Sequence, residues 1–387
     1  MYWSAYFQTS LQLIRGYDGS MPLAYYLKQY FTRHKKHGSR DRKWITHGCY
    51  AYFRLGHATA GLPAESRLQA ALLLAEPRPP ADFFPVSWQA IYPAGREERL
   101  RWLEQTIRGF YPDRIFPWTE QLSQGMDHLL FNRSHLQQPD LFIRIRPGYE
   151  QTVRAQLASA GIAFRSVSGE CLALANTTKL DGIVALIRQA VIQDYSSQRV
   201  GSLLEMIPMD EPLRVWDACA ASGGKSILVR DKLPLAFLLV SDLRASVLQN
   251  LRQRFTAAGM GSYQTMVTDL SKPGTPRPTG MFDLVICDVP CSGSGTWSRT
   301  PEQLVYFREE QIGEYAALQE QIWKAVLPFV KPGGYLLYAT CSVFTAENEM
   351  QVEKIAAEAG WSVLQQVLWH GYADKADTLF GALLQKQ

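Results

Sequence analysis

Apolar side chains recur at helical spacing through the first part of the chain. The spacing is clear within residues 25–31 and again within residues 45–53, with a basic turn between them. Prolines in EPRPP (76–80) break the pattern into short helices and loops, and a further helix is predicted from Glu97 to Phe110. We therefore expect residues 1–135 to form an all-helical domain.

The hydrophobic period changes at about Pro139. Residues 141–146 alternate as in a short strand, and residues 150–160 predict a helix that ends at Gly161. Two further short strands are predicted over residues 162–167 and 171–175. This pattern predicts a small α+β module over residues 139–200.

Strands and helices alternate after residue 200. The predicted strands are Leu213–Asp217, Phe237–Asp242, Tyr263–Thr268, Phe282–Cys287 and Tyr335–Thr340. The predicted helices include Lys225–Asp231, Ala245–Ala258 and Gln303–Val330. Such alternation is typical of an α/β domain with a mainly parallel sheet and crossover helices. We expect this domain to cover residues 201–387.

The formal charge is spread unevenly along the 387 residues. The whole chain is 47% hydrophobic and carries +4, as in an ordinary globular protein rather than a disordered one. Residues 1–60 hold nine Lys and Arg against two acids, so they carry +7 and the remaining residues carry −3. The near-neutral total therefore conceals a basic end.

The cysteines and the apolar runs exclude several classes of protein. The six cysteines contain no C-x-x-C pair, which argues against a zinc ribbon, and we expect no metal site. The N-terminus lacks the pattern of a signal peptide, and the longest apolar run, Leu233–Val240, is too short to span a membrane. We expect a cytoplasmic protein with reduced thiols and no membrane partner.

The first predicted strand of the sheet leads into a turn of small residues, DACAASGGKS (217–226). Gly223 and Gly224 let the backbone approach a ligand, and the next helix offers free amides to an anionic group. The turn lacks the G-x-G-x-x-G of a dinucleotide site, and Cys219 stands where a phosphate loop has its first glycine. An S-adenosylmethionine site is the third interpretation, and it expects an acid about 20 residues further on.

Acids follow three successive predicted strands: Asp242, Asp269 and Asp288. A single acid at such a position is commonly a helix cap, but three in register favour a cofactor site. We therefore predict S-adenosylmethionine as the cofactor. The predicted cofactor-binding residues are Cys219, Ala220, Ala221, Ser222, Gly223, Gly224, Lys225, Asp242, Asp269 and Asp288.

Two cysteines follow predicted strands at the same edge. Cys291 lies in CDVPCSGSG (287–295) and Cys341 lies in YATCSVFTAENE (338–349), and each is followed by a serine. A lone cysteine is more often a small buried hydrophobe than a nucleophile. We expect Cys49, Cys171, Cys219 and Cys287 to be small buried hydrophobic residues of this kind.

Six ordered motifs over residues 139–387 resemble the Nop/Sun-type, RsmB-like RNA cytosine-5 methyltransferases. They are QDYSSQ (193–198), DACAASGGK (217–225), SDLR (241–244), FDLVICDVPCSGSGT (282–296), YATCS with ENE (338–349) and TLFGALLQK (378–386). The resemblance implies a Rossmann-like class I methyltransferase domain. The segment GSRDRKWITHGCYAYFRLG (38–56) is more weakly similar to the NusB-like helical domain at the front of such enzymes.

The resemblance implies a role for each residue of the predicted catalytic set. Cys341 would be the nucleophile that adds to carbon 6 of cytosine, which activates carbon 5 for methylation. Cys291 would assist removal of the proton from carbon 5 and release of the enzyme. Asp288 is suited to hydrogen-bond ring nitrogen 3, and Lys225 is similar to a family lysine beside the cofactor turn.

Other methyltransferase classes fit the motifs less well. DNA cytosine-5 enzymes use the proline-cysteine motif as the nucleophile and lack a cysteine after the fifth strand, and enzymes that methylate exocyclic amines usually place an aromatic residue at position 291. Two departures from the family are Ser222, where proline is usual and pre-sets the backbone, and Val289, where alanine is frequent.

The stretch Lys28–Lys43 carries seven basic residues and one acid. Such a run is usually a solvated surface, but the aromatic residues around it and the cytosine chemistry favour contact with RNA. Arg299, in GTWSRTPEQ (295–303), resembles a family position near the RNA. The predicted RNA-binding residues are Lys35, Lys36, Arg40, Arg42, Lys43 and Arg299.

We expect a monomeric enzyme that methylates carbon 5 of a cytidine in single-stranded or looped RNA, with ribosomal RNA as the target. Transfer RNA is the alternative substrate. A catalytically idle RNA-binding assembly factor is the alternative from another class, but it would have lost Cys341, Asp288 or the glycine turn.

Overall fold

Residues 2–208 and 211–387 are described by a computed structural model, in which the chain forms two units. The helical unit comprises the residues up to Glu120, Met126–Gln138 and Thr296–Arg308. The sheet unit comprises Gln121–Gly125, Pro139–Gly295 and Glu309–Gln387. Each unit is therefore built from three separate segments of the sequence.

The helices of the helical unit form where apolar residues repeat at helical spacing. Leu11 and Ile14 of the first helix, and Ile45 and Cys49 of the third, are buried at intervals of three or four residues. The helices are α1 (Tyr2–Gly16), α2 (Leu23–Arg33), α3 (Ser39–Arg54), α4 (Ala64–Leu74), α5 (Val86–Gln89), α6 (Arg96–Thr106) and α7 (His128–Ser134).

Arg54, the last residue of α3, is buried among backbone carbonyl groups. Its guanidinium donates hydrogen bonds of 2.9 Å to the carbonyl oxygens of His135, Gln137 and Ser298, and another to the side chain of Gln138. Burial lowers the pKa of Arg54 to about 10, so the group remains charged at neutral pH. One side chain thus ties three stretches of the helical unit together.

A small antiparallel sheet opens the main part of the sheet unit. Its strand order is β2-β3-β1-β4, and α8 packs on it through Val153 and Leu157. The elements are β1 (Leu141–Ile145), α8 (Glu150–Ser159), β2 (Phe164–Ser166), β3 (Cys171–Leu174) and β4 (Ala190–Ile192), followed by α9 (Tyr195–Arg199) and α10 (Gly201–Leu204).

The larger sheet has seven strands in the order β10-β11-β9-β8-β5-β6-β7. The five strands from β5 to β9 pair in parallel. Strand β11 pairs antiparallel with β9 on one side and with β10 on the other. The strands are β5 (Arg214–Asp217), β6 (Phe237–Asp242), β7 (Tyr263–Val267), β8 (Phe282–Asp288), β9 (Val330–Thr340), β10 (Trp361–Trp369) and β11 (Leu379–Lys386). The helices of this part of the sheet unit are α11 (Gly224–Lys232), α12 (Ala245–Ala257), α14 (Glu310–Val326) and α15 (Glu349–Ala357), whereas α13 (Gln303–Tyr306) belongs to the helical unit.

Apolar residues cover both faces of the seven-stranded sheet. Neighbouring residues of β5 point to opposite faces, so Val215 belongs to one buried cluster and Trp216 to the other. The indole nitrogen of Trp216 donates to the hydroxyl of Ser241 at 2.9 Å. Burial on both faces explains why these strands are almost wholly apolar in sequence.

The structure confirms the predicted fold class, with a helical N-terminal region, a small antiparallel sheet and a mostly parallel seven-stranded sheet. The prediction of one helix over Gln303–Val330 is wrong. The chain interrupts it between Tyr306 and Glu310, because it passes there from the helical unit into the sheet unit. Within the described ranges, no helix is both long and apolar enough to cross a membrane.

Asp231, at the end of α11, joins the small sheet to the large one. Its carboxylate forms an ion pair with Arg144, in β1, at 2.6 Å and another with Arg146, the residue that follows β1, at 2.8 Å. The side chains of Asp231 and Arg144 are 5% and 1% exposed, so the three charges are largely shielded from water. A buried pair of this kind is far more sensitive to loss of one partner than a surface pair.

We predict that Asp231→Ala lowers the free energy of unfolding by about 3–5 kcal/mol, because two buried guanidinium groups lose their counter-charge. Glu320→Ala is the matched control, since Glu320 also bridges two cations, Lys324 and Lys354, but those are about half exposed. The control should cost less than about 1 kcal/mol. Urea denaturation followed by circular dichroism measures both, and equal losses would contradict the prediction.

Candidate active site

The carboxyl ends of four parallel strands meet at one edge of the large sheet. Asp217 ends β5, Asp242 ends β6, Asp288 ends β8 and Thr340 ends β9. The strands are in register, with Asp217 opposite Val240 and Asp288 opposite Ala339. The turns that follow these strands therefore lie side by side, at the edge where open parallel sheets bind ligands.

The turn after β5 has a backbone that only small residues can adopt. Ala221 and Gly223 have φ angles of 44° and 79°, in the left-handed region. A Cβ atom on Gly223 would lie 2.6 Å from Cε1 of Phe255 in α12. The turn therefore packs tightly on α12 on one side, and it leaves Ala221 and Ser222 exposed on the other.

Asp217 is a site residue that sequence reasoning did not single out. Its side chain is fully buried, and its Oδ2 accepts a 2.5 Å hydrogen bond from the hydroxyl of Ser226. Its Oδ1 is buried without a partner among the described residues. Burial raises the pKa of Asp217 to about 7. The signal was present in the sequence, because Asp217 ends its strand as Asp242 and Asp288 end theirs.

The other predicted cofactor acids differ in their surroundings. One oxygen of Asp242 accepts the amide of Arg244 at 2.9 Å, and the side chain is 9% exposed at the end of β6. Asp269 lies two residues beyond β7, where it accepts from Ser271 and pairs with Lys272. The hydrogen bond from Ser271 holds the pKa of Asp269 below its ordinary value. Asp269 is thus committed to its own turn, and its cofactor role stays a prediction.

Lys225 and Asp288 form an ion pair across the candidate site. The ammonium of Lys225, in the first turn of α11, lies 2.6 Å from Oδ2 of Asp288. Burial lowers the pKa of Lys225, but the Asp288 carboxylate outweighs that effect and the pKa lies above its ordinary value. The structure thus brings together two residues that the sequence assigned separately.

The two candidate catalytic cysteines also meet. The sulfur of Cys291, three residues beyond β8, lies 3.3 Å from the sulfur of Cys341, the residue that follows β9. The hydrogen bond to Cys341, together with burial, raises the pKa of Cys291 well above its ordinary value. Cys291 therefore keeps its proton at neutral pH, and the two sulfurs lie close enough for a hydrogen bond in which either could donate.

The loops that carry these cysteines are joined through their backbones. The amide of Gly295 donates to the carbonyl of Cys341 at 2.9 Å, and a Cβ atom on Gly295 would lie 2.0 Å from the carbonyl of Thr378. The glycine in SGSG is therefore required for close approach, which the sequence alone did not explain.

The other four cysteines form no comparable pair of thiols in the described part of the chain. Cys49, Cys171 and Cys287 are fully buried and Cys219 is partly buried. Burial raises the pKa of Cys49 and of Cys171 to about 12, so both remain neutral thiols. Their burial fits the expectation that they are small buried hydrophobic residues. No group of side chains in the described chain could hold a metal ion.

The predicted RNA-binding residues all fall in the helical unit. Lys35 and Lys36 lie in the turn after α2, and three others lie on α3; all five are exposed. Arg299 belongs to the same unit through the segment Thr296–Arg308, far along the chain from the other five. Arg42 donates to the carbonyl of His37 at 2.8 Å, which fixes the turn.

The turn after β5 fits S-adenosylmethionine as the bound cofactor. The small residues Ala221 and Ser222 leave one side of the turn exposed, and the buried Asp217 has an oxygen without a partner among the residues that the structure describes. The carboxylates at the ends of β6 and β8 provide acceptors for hydroxyl groups and a negative field for a cationic ligand.

Comparison with known proteins gives a consistent family. Residues 203–376 match the family profile described as 16S rRNA methyltransferase RsmB/F. The chain is 28% identical over 277 residues to ribosomal RNA small subunit methyltransferase B of Pasteurella multocida, which covers 69% of this chain and 56% of that protein. It is 36% identical over 161 residues to the protein of that name from Erwinia tasmaniensis, covering 42% and 37% respectively.

A solved structure matches almost the whole fold. The crystal structure of PH0851 covers 98% of both chains with a TM-score of 0.72 and 19% sequence identity, a likeness that concerns the fold alone. This chain spans only about half the length, or less, of the curated relatives named above. The matched family uses S-adenosylmethionine, which confirms the predicted cofactor class.

We predict that Gly223→Ala lowers the free energy of unfolding by about 1–3 kcal/mol, because alanine disfavours a positive φ and its Cβ would overlap Phe255. Gly224→Ala is the matched control, since no heavy atom lies within 4 Å of its Cβ position and its φ is not positive. The control should change stability by no more than about 1 kcal/mol. Urea denaturation compares the two variants, and an unaffected Gly223→Ala protein would refute the steric argument.

Proposed function

This chain belongs to the RsmB/F family of S-adenosylmethionine-dependent RNA cytosine-5 methyltransferases, and we propose that it methylates carbon 5 of a cytidine in ribosomal RNA. The observation that carries the proposal is the pair of thiols 3.3 Å apart at the ends of two adjacent parallel strands. Methylation of an exocyclic amine or a hydroxyl group needs no thiol, whereas carbon 5 of cytosine needs covalent activation.

The two thiols have different roles in this proposal. Cys341, in the YATCS motif directly after β9, is the nucleophile, and the sulfur of Cys291 lies 3.3 Å from it. Cys291, with its raised pKa, is the thiol that holds the proton of the pair. We assign to Cys291 the removal of the proton from carbon 5. It acts there as the thiolate, after its own proton has passed to solvent, and its raised pKa makes that thiolate a strong base.

The proposed reaction has three steps. The sulfur of Cys341 forms a bond to carbon 6, and the electron pair of the ring double bond becomes available at carbon 5. S-adenosylmethionine, when bound, would supply an electrophilic methyl group to carbon 5 and would leave as S-adenosylhomocysteine, its sulfur keeping the electron pair of the broken bond. The proton of carbon 5 then passes to the thiolate of Cys291, and its electron pair restores the ring double bond. The bond between carbon 6 and Cys341 breaks, and its electron pair returns to the Cys341 sulfur.

The ion pair of Lys225 and Asp288 supports the addition step. In this proposal Asp288 and nitrogen 3 of cytosine share a proton once Cys341 has added, which neutralises the negative charge that develops on the ring. Lys225, 2.6 Å from Asp288, offsets that charge, and the pair is already oriented before the reaction begins. The cofactor is held by the turn Cys219–Lys225 and by Asp242, while Asp217 underlies the turn.

Ribosomal RNA is the proposed target because the matched profile and the curated relatives are rRNA methyltransferases. The target cytidine must leave its stack to reach sulfurs that lie at the end of the sheet, so a single-stranded or looped region is the proposed substrate. The exposed cations on α3 and in the preceding turn are proposed to contact phosphates.

We predict that the protein transfers labelled methyl groups from S-adenosylmethionine to 16S rRNA, and that the label maps to 5-methylcytidine. Cys341→Ala should form no covalent protein–RNA adduct, because carbon 6 then has no nucleophile. Cys291→Ala should accumulate the adduct, because the proton of carbon 5 is not removed. Denaturing gel electrophoresis and mass spectrometry of digested RNA measure the two outcomes.

Two results would decide against this proposal. Absence of 5-methylcytidine from both 16S rRNA and intact small ribosomal subunits would reject the enzymatic function. The opposite adduct pattern would exchange the roles of the two cysteines. Transfer RNA serves as the comparison substrate, and preferential methylation of it would move the target to transfer RNA.

We predict that replacing Lys35, Lys36 and Arg40 by alanine weakens RNA binding at low salt and lowers the slope of log Kd against log salt by about 2. For each phosphate contact that is lost, RNA binding releases about 0.7 fewer counterions from a single strand. The control replaces Lys272, Lys324 and Lys354, which are exposed cations of the sheet unit. Filter binding over a salt series distinguishes them, and identical slopes for the two triple variants would remove the basic stretch from the RNA-binding surface.

A further inference from the structure

A buried carboxylate lies behind the two cysteine loops. The side chain of Glu347, in the short turn between β9 and α15, is fully buried in the sheet unit. Its Oε2 accepts the amide of Ser292 at 2.8 Å and the side-chain amide of Gln319 at 2.9 Å. Its Oε1 accepts the hydroxyl of Ser342 at 2.6 Å.

These donors come from both cysteine loops. Ser292 directly follows Cys291, and Ser342 directly follows Cys341, so one carboxylate binds the residue after each thiol. The hydroxyl groups of Ser292 and Ser342 also contact each other at 3.2 Å. Gln319 extends the link, since its amide nitrogen also donates to the carbonyl of Pro290 at 3.0 Å.

The position of Glu347 is itself fixed from behind. The hydroxyl of Tyr338 in β9 donates to the backbone carbonyl of Glu347 at 2.7 Å. The next residue, Asn348, accepts from Thr340 at 2.5 Å and donates to the carbonyl of Ser342 at 3.0 Å. The carboxylate therefore sits on a rigid support rather than on a mobile loop.

We propose that Glu347 is a positioning residue that sets the separation of the Cys291 and Cys341 sulfurs by holding the residue after each of them. The inference rests on the proposed function, because the separation matters only if the two thiols share one reaction. Burial raises the pKa of Glu347, while hydrogen bonds from Ser292, Ser342 and Gln319 oppose that effect. Without the carboxylate, the Ser292 amide and the Ser342 hydroxyl would each lose an acceptor and the Gln319 amide would keep only the carbonyl of Pro290. The two loops would then lose their common anchor.

An arsenical probe measures the separation without any turnover. Phenylarsine oxide bridges two neighbouring thiols, forming two arsenic–sulfur bonds and releasing one water molecule. We expect the wild-type protein to form the Cys291–Cys341 bridge and Glu347→Ala to form at least tenfold less of it at equal reagent concentration. Peptide mapping by mass spectrometry identifies the bridged pair among the six cysteines.

The kinetic test follows the same variants with RNA. Glu347→Ala should lower kcat by about 100-fold, the effect expected for reacting groups displaced by about 1 Å, with KM for S-adenosylmethionine unchanged. Glu347→Gln keeps an acceptor for the Ser292 amide, so it should restore bridging and bring kcat to within about tenfold of wild type. Glu353→Ala, an exposed acid on α15, is the control and should match wild type in both measurements.

The outcomes separate this inference from the proposed function. If the wild-type protein methylates no RNA but the bridge still depends on Glu347, the positioning role stands and the proposed reaction fails. If Glu347→Ala forms the bridge as readily as wild type, the positioning role is wrong whatever the activity. Should Glu347→Ala fail to fold by circular dichroism, Ser342→Ala removes one of the anchored donors, and undiminished bridging in that folded variant would equally overturn the proposal.

Discussion

The parallel pairing of β8 with β5 on one side and with β9 on the other is the constraint on which the site depends. Backbone hydrogen bonds fix Asp288 beside Ala339, and so they set where each chain leaves the sheet. The cofactor turn, the Lys225–Asp288 pair and both cysteine loops all begin at those exits. Sheet register alone places the loops as neighbours, but it does not bring two sulfurs to 3.3 Å. The finer adjustment comes from side chains at the base of the loops.

Those side chains are polar and buried, which is costly for stability. A carboxylate, an amide and several hydroxyl groups replace what could be an apolar core, and each must find a partner to offset the loss of water. Glu347, Gln319 and Ser342 satisfy one another almost completely. Directional bonds of this kind restrict the loops to one arrangement, whereas apolar packing would tolerate small displacements. These buried polar side chains therefore make the core less stable than an apolar one, but they fix the positions of the two cysteine loops.

The periodicity of the sequence predicted much of the fold, because strands buried on both faces and amphipathic helices leave strong patterns. It also placed Lys225, Asp288 and the two cysteines near one edge, since the ends of parallel strands must meet. The interruption between Tyr306 and Glu310 was missed, because the apolar pattern runs on while the chain changes unit. Asp269 and Glu347 show the other limit. Hydrogen bonds formed only in the folded state commit the first to its own turn and give the second its place between the loops.

The two units exchange segments along the sequence. Residues Gln121–Gly125 lie before the boundary predicted near residue 139, yet they belong to the sheet unit. There the hydroxyl of Ser123 donates to Glu349 and accepts from Asn348, both at 2.9 Å, and its amide donates to Val343 at 2.8 Å. These bonds hold the loop that follows Cys341 against a segment that lies more than two hundred residues earlier in the sequence. In the other direction, the chain that leaves the Cys291 loop runs directly into the helical unit that carries the basic surface. The polypeptide itself thus connects both cysteine loops to the helical unit, and neither unit corresponds to one continuous stretch of sequence.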